Sequence, residues 1–204
     1  MIDYLKRMIE RYPALGPVSG EVRSAYEILH GCYRQEGKLL VCGNGGSASD
    51  AEHIVGELMK GFYRQRSLSR EEKEIFGELG DSLQGALPAI ALTGHPALST
   101  AFMNDVDPKM VFAQQVYGYG RAGDVLMALT TSGNSRNVLN AVRVARAKGM
   151  KVIGLTGRDG GSLKELCDVC IIVPGQATAD IQEYHLPVYH AICAMLEESF
   201  FEGV

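Results

Sequence analysis

His53 and Glu57 stand four residues apart in "DAEHIVGEL", a spacing that puts both side chains on one face of a helix. A carboxylate beside an imidazole can take a proton from carbon and pass one to oxygen, the basis of general acid–base chemistry. By spacing alone, however, an ordinary surface pair is the better reading. A second group lies near the C-terminus, where "IQEYHLPVYHAICAML" carries Gln182, His185 and His190. Gln182 and His185 are three apart and face alike. Gln182 and His190 are separated by roughly 12 Å of helical rise. Spacing therefore points to His185, and choosing His190 needs a further reason. Pro187 either kinks this helix or marks a late start to it.

Two loops suit a phosphate. Gly43-Asn44-Gly45-Gly46-Ser47 lies between an apolar run and a helical pattern. Its glycines allow a tight turn, and the helix that follows offers free N–H groups and a positive dipole end. Thr130-Thr131-Ser132-Gly133-Asn134-Ser135 is similarly placed, and its four hydroxyls exceed what a helix cap needs. Hydroxyls and backbone N–H groups together can bind a phosphomonoester without Lys or Arg. Gly43, Gly45 and Ala48 also satisfy the loose dinucleotide fingerprint. The acidic residue that fingerprint requires at the end of the next strand is missing from "LTGHP". No nucleotide cofactor is expected.

Elements that could position these groups follow from the apolar pattern. Runs at 38–42, 87–93, 124–130, 151–156 and 169–174 read as strands, and helical patterns at 47–64, 109–120, 134–149 and 180–200 separate them. Continuous apolar strands alternating with helices predict an α/β fold with a parallel five-stranded sheet covered on both faces. Ligands in such sheets bind at the carboxyl ends of the strands, where both loops lie. Ahead of the first strand, apolar positions within 17–36 and at Leu5, Met8 and Ile9 predict two amphipathic helices, which need their own sheet or a neighbouring subunit to pack against. Residues 65–85 carry a dense charge run that reads as a solvated surface helix, or else as a lid or subunit contact.

Composition narrows the classes. The chain has 204 residues, enough for one cored domain, and no linker or repeat divides it. A net charge of −4 leaves no basic stripe for nucleic acid. No run is long enough to span a membrane, and the N-terminus lacks a signal-peptide core, so a cytoplasmic location is expected. The five cysteines fit reduced thiols, and Cys167 and Cys170 in "CDVCIIVP" read as core packing rather than as a redox or zinc pair.

"CGNGGSASDAEHIVGEL", Asn104-Asp105, "GDVLMALTTSGNSRNVLNAV", "KGMKVIGLTGRDGG" and "IQEYHLPVYH" occur in that order across residues 38–200. Together they resemble the sugar isomerase (SIS) domain family and, within it, the sedoheptulose 7-phosphate (phosphoheptose) isomerases. The resemblance implies a single SIS domain over 1–204, a flavodoxin-like three-layer αβα fold and a homotetramer with active sites at subunit interfaces. Residues 1–36 would then be a helical extension in the oligomer contact, and 65–85 a charged insertion. It implies aldose–ketose isomerisation of a phosphorylated sugar through an enediol, with Glu57 as base and His190, not His185, as its acid partner. His53, Glu57, Gln182 and His190 would together hold a divalent metal, commonly zinc. Ser47, Thr131, Ser132 and Ser135 would bind phosphate, with Thr130 where a serine is usual, and Asn44, Gly45 and Gly46 would also bind substrate. Asp105 would meet the sugar hydroxyls, and Asn104 and Gln182 would also touch substrate.

Three features depart from the family pattern. Lys60-Gly61-Phe62 replaces an arginine-containing "GRY/GRF" stretch, Asp180 stands where an arginine is common, and 65–85 is longer than usual. The alternative to an enzyme is a non-catalytic SIS module that binds a sugar phosphate or a protein partner, as in replication-initiator-associated relatives. Such relatives lack the counterparts of Glu57 and His190, both present here.

Overall fold

The computed structural model describes residues 3–201. Five short strands, β1 (Leu39–Cys42), β2 (Ala89–Ala91), β3 (Val125–Leu129), β4 (Lys151–Thr156) and β5 (Val169–Ile172), form one sheet. All pairs are parallel and the order is β2-β1-β3-β4-β5. The helices are α1 (Tyr4–Arg11), α2 (Ser19–Arg34), α3 (Gly46–Met59), α4 (Arg70–Phe76), α5 (Pro96–Asp105), α6 (Val111–Tyr119), α7 (Arg136–Ala147) and α8 (Thr178–Phe200).

Period-two alternation divides the strand side chains between two cores. Leu39, Val41, Val125, Met127, Leu129, Ile153 and Leu155 face one side, where α1, α2, α3 and α8 contribute Met8, Val22, Leu29, Ile54, Leu58, Val188 and Ile192. Leu40, Cys42, Leu126, Ala128 and Val152 face the other, against Phe112 and Val116 of α6 and Val138 and Val142 of α7. This is the expected three-layer αβα fold. The N-terminal helices find their apolar partner within the chain, on the sheet and α8.

The chain reverses its direction of travel across the sheet between β1 and β3, so their carboxyl ends form the topological switch point where ligands of open α/β sheets bind. Both phosphate-type loops begin there.

Several boundaries move from the sequence reading for physical reasons. The helix expected over 47–64 ends at Met59, because Lys60 is extended (φ −140°, ψ 173°). The helix expected over 17–36 begins at Ser19, after a 3-10 turn at Pro13–Val18 holding two prolines. The helix expected over 109–120 opens as a 3-10 turn, Pro108–Met110. Helix α5 was not expected, and it buries no residue that would leave an apolar stripe. Pro187 lies inside α8, which starts at Thr178, so it does not mark a late start. Within 65–85 the helix is short and exposed, capped by Ser69 and Glu72 in a reciprocal box. Cys167 and Cys170 are free thiols, half-buried. Among the described residues, no helix is long and apolar enough to cross a membrane.

At the opposite end of the sheet, Asp124 holds β1 to β3. Its Oδ1 accepts from the Lys38 amide at 3.0 Å, and Oδ2 accepts from the Arg121 amide at 2.8 Å and from the Lys38 ammonium. Asp124 is buried, so its removal strands two amides and a lysine. Asp124→Ala is expected to cost about 2 kcal/mol, read as a lowered urea midpoint at unchanged m-value.

Candidate active site

The two loops are joined side chain to side chain. Asn44 and Asn137, in the first turn of α7, exchange amide hydrogen bonds of 3.0 and 2.8 Å. Gly45 takes φ +56°, a conformation that costs a glycine little, and leads directly into α3. No side chain caps that helix, leaving its N-terminus to an anion. Ser47 is buried at its start. In the second loop Thr130 and Ser135 share a hydrogen bond of 2.9 Å, and the Ser132 hydroxyl accepts from the Asn134 amide. Gly133 (φ +67°) is required, because a Cβ there would stand 1.9 Å from the Gly160 carbonyl. Thr131 and Ser132 stay partly exposed at the mouth.

Helix α3 carries His53 and Glu57 from the first loop towards α8. His53 Nε2 lies 3.1 Å from Glu57 Oε1 and 3.5 Å from His190 Nε2. His53 and Glu57 therefore form part of an interhelical cluster and not a free surface pair. Glu57 is buried, and its second oxygen accepts from the Lys60 ammonium at 3.1 Å. His190 rests against Phe62 and Tyr189. Burial lowers its pKa, aided by the nearby charges of His53 and Arg11 and opposed by Glu57.

Two residues not singled out from sequence complete the cluster. Tyr189 donates to Asp50 Oδ1 at 3.2 Å and lies 2.9 Å from His53 Nδ1. With its one proton committed to Asp50, the phenol oxygen accepts from Nδ1–H. His53 Nε2 is then the ring nitrogen turned towards Glu57 Oε1. Burial pushes the Asp50 pKa up, against the Tyr189 hydrogen bond and His53, which lower it. Only contact across helices identifies these two; neither follows from spacing.

His185, which spacing favoured, points away. It is wholly buried, neither ring nitrogen meets another side chain in a hydrogen bond, and the backbone of Thr156 lies beside the ring. Gln182 lies over the first loop, its amide 2.6 Å from where a Cβ on Gly46 would stand. Asn104 and Asp105 are exposed at the end of α5 and bonded to each other. Among the described residues, no hydrogen bond joins them to α3, α8 or either loop.

The donors proposed for a metal are of zinc type, two imidazoles, a carboxylate and an amide oxygen. They meet in pairs: His53 touches both Glu57 and His190. They do not form a preassembled cage. Among the described residues, no group of three or more His, Cys, Asp or Glu is placed to hold a metal ion.

Residues 3–73 and 73–157 match the SIS domain family, and the chain belongs to it. Its curated relatives include the phosphoheptose isomerase of Rhodospirillum rubrum, 40% identical over 185 residues that cover 91% of this chain and 89% of that protein. That of Akkermansia muciniphila is 37% identical over 207 residues, covering all of both chains. Among solved structures, a phosphoheptose isomerase from Francisella tularensis superposes with a TM-score of 0.79 at 33% identity, covering 96% of this chain and 95% of that one. The phosphoheptose isomerase of Neisseria gonorrhoeae gives 0.75 at 36% identity, covering 95% and 91%.

The buried His185 has a consequence for stability. Burial pushes its pKa down from 6.5 to about 4, opposed by the backbone of Thr156. Below pH 6.5 the unfolded chain binds this proton and the folded chain does not, so stability is full above 6.5 and falls as pH drops towards 4. The loss across that window is about 3 kcal/mol. Urea titrations at pH 7 and pH 4.5 are expected to show a larger drop for the native chain than for His185→Leu.

Proposed function

We propose that this chain acts as a phosphoheptose isomerase, interconverting sedoheptulose 7-phosphate and D-glycero-D-manno-heptose 7-phosphate. The observation that carries this reading is the contact of Glu57, His53 and His190 beside a phosphate cradle at the switch point of the sheet. The full-length likeness to phosphoheptose isomerases supports the sugar.

The 7-phosphate is held by Asn44, Gly45, Gly46 and Ser47 and by Thr130, Thr131, Ser132 and Ser135, with Gln182 closing over Gly46. Glu57 takes a proton from C1 of the open-chain ketose and returns it to C2. His53, 3.1 Å from Glu57 Oε1, supports the base or the metal described below. His190 passes a proton between O1 and O2, and its lowered pKa keeps a neutral form available near pH 7. The Lys60 ammonium steadies the carboxylate where the family pattern has an arginine further along. Arg64 is not a substitute, because it faces Glu198 at 3.6 Å. Asp180 lies in the first turn of α8, where a negative charge suits the helix dipole.

A divalent metal, zinc by donor type, belongs to this reading. His53, Glu57, His190 and Gln182 would hold it, and it would supply Lewis-acid stabilisation of the enediolate oxygens. So does a homotetramer. Among the described residues, Asn104 and Asp105 hydrogen-bond to no site residue, so their contact with sugar is assigned to a site completed across a subunit boundary. Exposed apolar residues such as Ile75, Leu79 and Val106 suit such contacts. The cytoplasmic location expected from the sequence is retained.

Glu57→Gln is expected to lower turnover of sedoheptulose 7-phosphate about 10³-fold with little change in KM, read by exchange of substrate hydrogen with deuterated water. Unchanged exchange would remove Glu57 as base. No exchange by the native chain with any phosphorylated ketose or aldose would favour the binding module. Dialysis against a chelator is expected to abolish turnover and added zinc to restore it. Full turnover after chelation would assign the oxygen chemistry to His190 alone.

A further inference from the structure

Glu57 rides on the last turn of α3, two residues before the helix ends at Met59. The final carbonyls of a helix have no partner inside it, and a turn left in that state frays. One of them, the Leu58 carbonyl, accepts from the Leu87 amide at 2.9 Å. Arg66 adds a second donor there and also reaches the carbonyl before it. Its Nη1 donates to the Leu58 carbonyl at 2.7 Å and Nη2 to the carbonyl of Glu57 itself at 2.9 Å. Its Nε donates to Glu197 Oε1 at 2.7 Å, and Phe201 covers the guanidinium 4.7 Å from the ring centre.

Glu197 lies on α8, about two turns beyond His190. It also accepts from the amides of Phe62 and Tyr63, at 2.8 and 2.7 Å. Both side chains of the pair are sealed from solvent, with relative exposures of 0% and 1%. Arg66 takes φ +50°, unfavourable for a side-chain-bearing residue and kept only where the surroundings impose it. Replacing a buried ion pair with apolar packing is often neutral or stabilising, so net stability is a poor reason for this one. Its geometry supplies a better reason: one planar fork ties the peptide of the base to the helix that carries His190.

We propose that Arg66 and Glu197 are positioning residues that fix Glu57 relative to His190 by clamping the C-terminal end of α3 to α8. This rests on the isomerase reading above for its kinetic consequence, but not for its structural one. Arg66→Lys keeps the charge paired with Glu197 while an ammonium cannot span the carboxylate and both carbonyls. Displacements of about 1 Å at a reacting group cost on the order of 10²-fold. Arg66→Lys is therefore expected to lower kcat roughly ten- to hundredfold with KM within about twofold. The rise in melting temperature caused by inorganic phosphate should stay at its native size, because the loops are untouched. Without any substrate, the ring resonances of His53 and His190 should shift in the variant's NMR spectrum. Arg66→Met/Glu197→Gln, which removes both charges together, should behave alike.

Native kcat and native ring resonances in both variants would overturn the proposal. Loss of the phosphate effect in parallel with kcat would do the same, since the damage would then be general. A variant that fails to fold also counts against it, by making the pair a stability element. If the native chain turns over no sugar phosphate, the isomerase reading fails alone, and the ring resonances still decide the clamp.

Discussion

The site depends on one contact between two helices that begin far apart. Helix α3 starts at the end of β1 and α8 follows β5, with β3 and β4 between those strands. For His53 to meet His190, α8 must cross the sheet face over the intervening strands. Its 23 residues, about 34 Å of helix, provide the length. The N-terminal helices then pack along α8 and hold it down on the sheet. Catalysis by groups from two elements demands that their separation be kept within a fraction of an ångström. Most of what surrounds α3 and α8 can be read as enforcing that separation.

The electrostatics separate into two regions. The loops proposed to hold phosphate offer hydroxyls, amides and a helix end, with few full charges of their own. Beyond them, the Glu57 end of α3 concentrates ionised side chains: Glu57 with Lys60, and Arg66 with Glu197. A sugar phosphate spanning both regions would place its formal charge in the first and its reacting carbons in the second. Fixed dipoles that need not reorganise during reaction are the efficient way to arrange this.

Much of this was legible in the chain itself. The parallel sheet followed from continuous apolar runs, because strands covered on both faces leave no polar alternation. The loops were visible because the switch point demands glycines and hydroxyls in quantity. The pairing of His53 with His190 was not, since residues on two helices meet through crossing geometry that neither helix records. For the same reason spacing favoured His185, whose separation from Gln182 is right and whose direction is wrong. Tyr189 and Asp50 looked like ordinary residues, and only contact between helices gives them meaning. Helix α5 is silent in the sequence because it buries nothing, and an element without an apolar face leaves no period to find.

The excursion between Ser67 and Gln84 leaves and rejoins the body at almost one point. Those two residues form an isolated antiparallel bridge, and the Gly85 amide returns to the Arg66 carbonyl at 2.7 Å. A loop whose ends are already pinned together adds length at little entropic expense, since closure cost grows only with the logarithm of its size. The segment is thus a natural splice point. Lineages can lengthen, shorten or exchange it without redesigning the catalytic interior, and an engineer seeking to graft a sensor or an affinity module would find a ready address there.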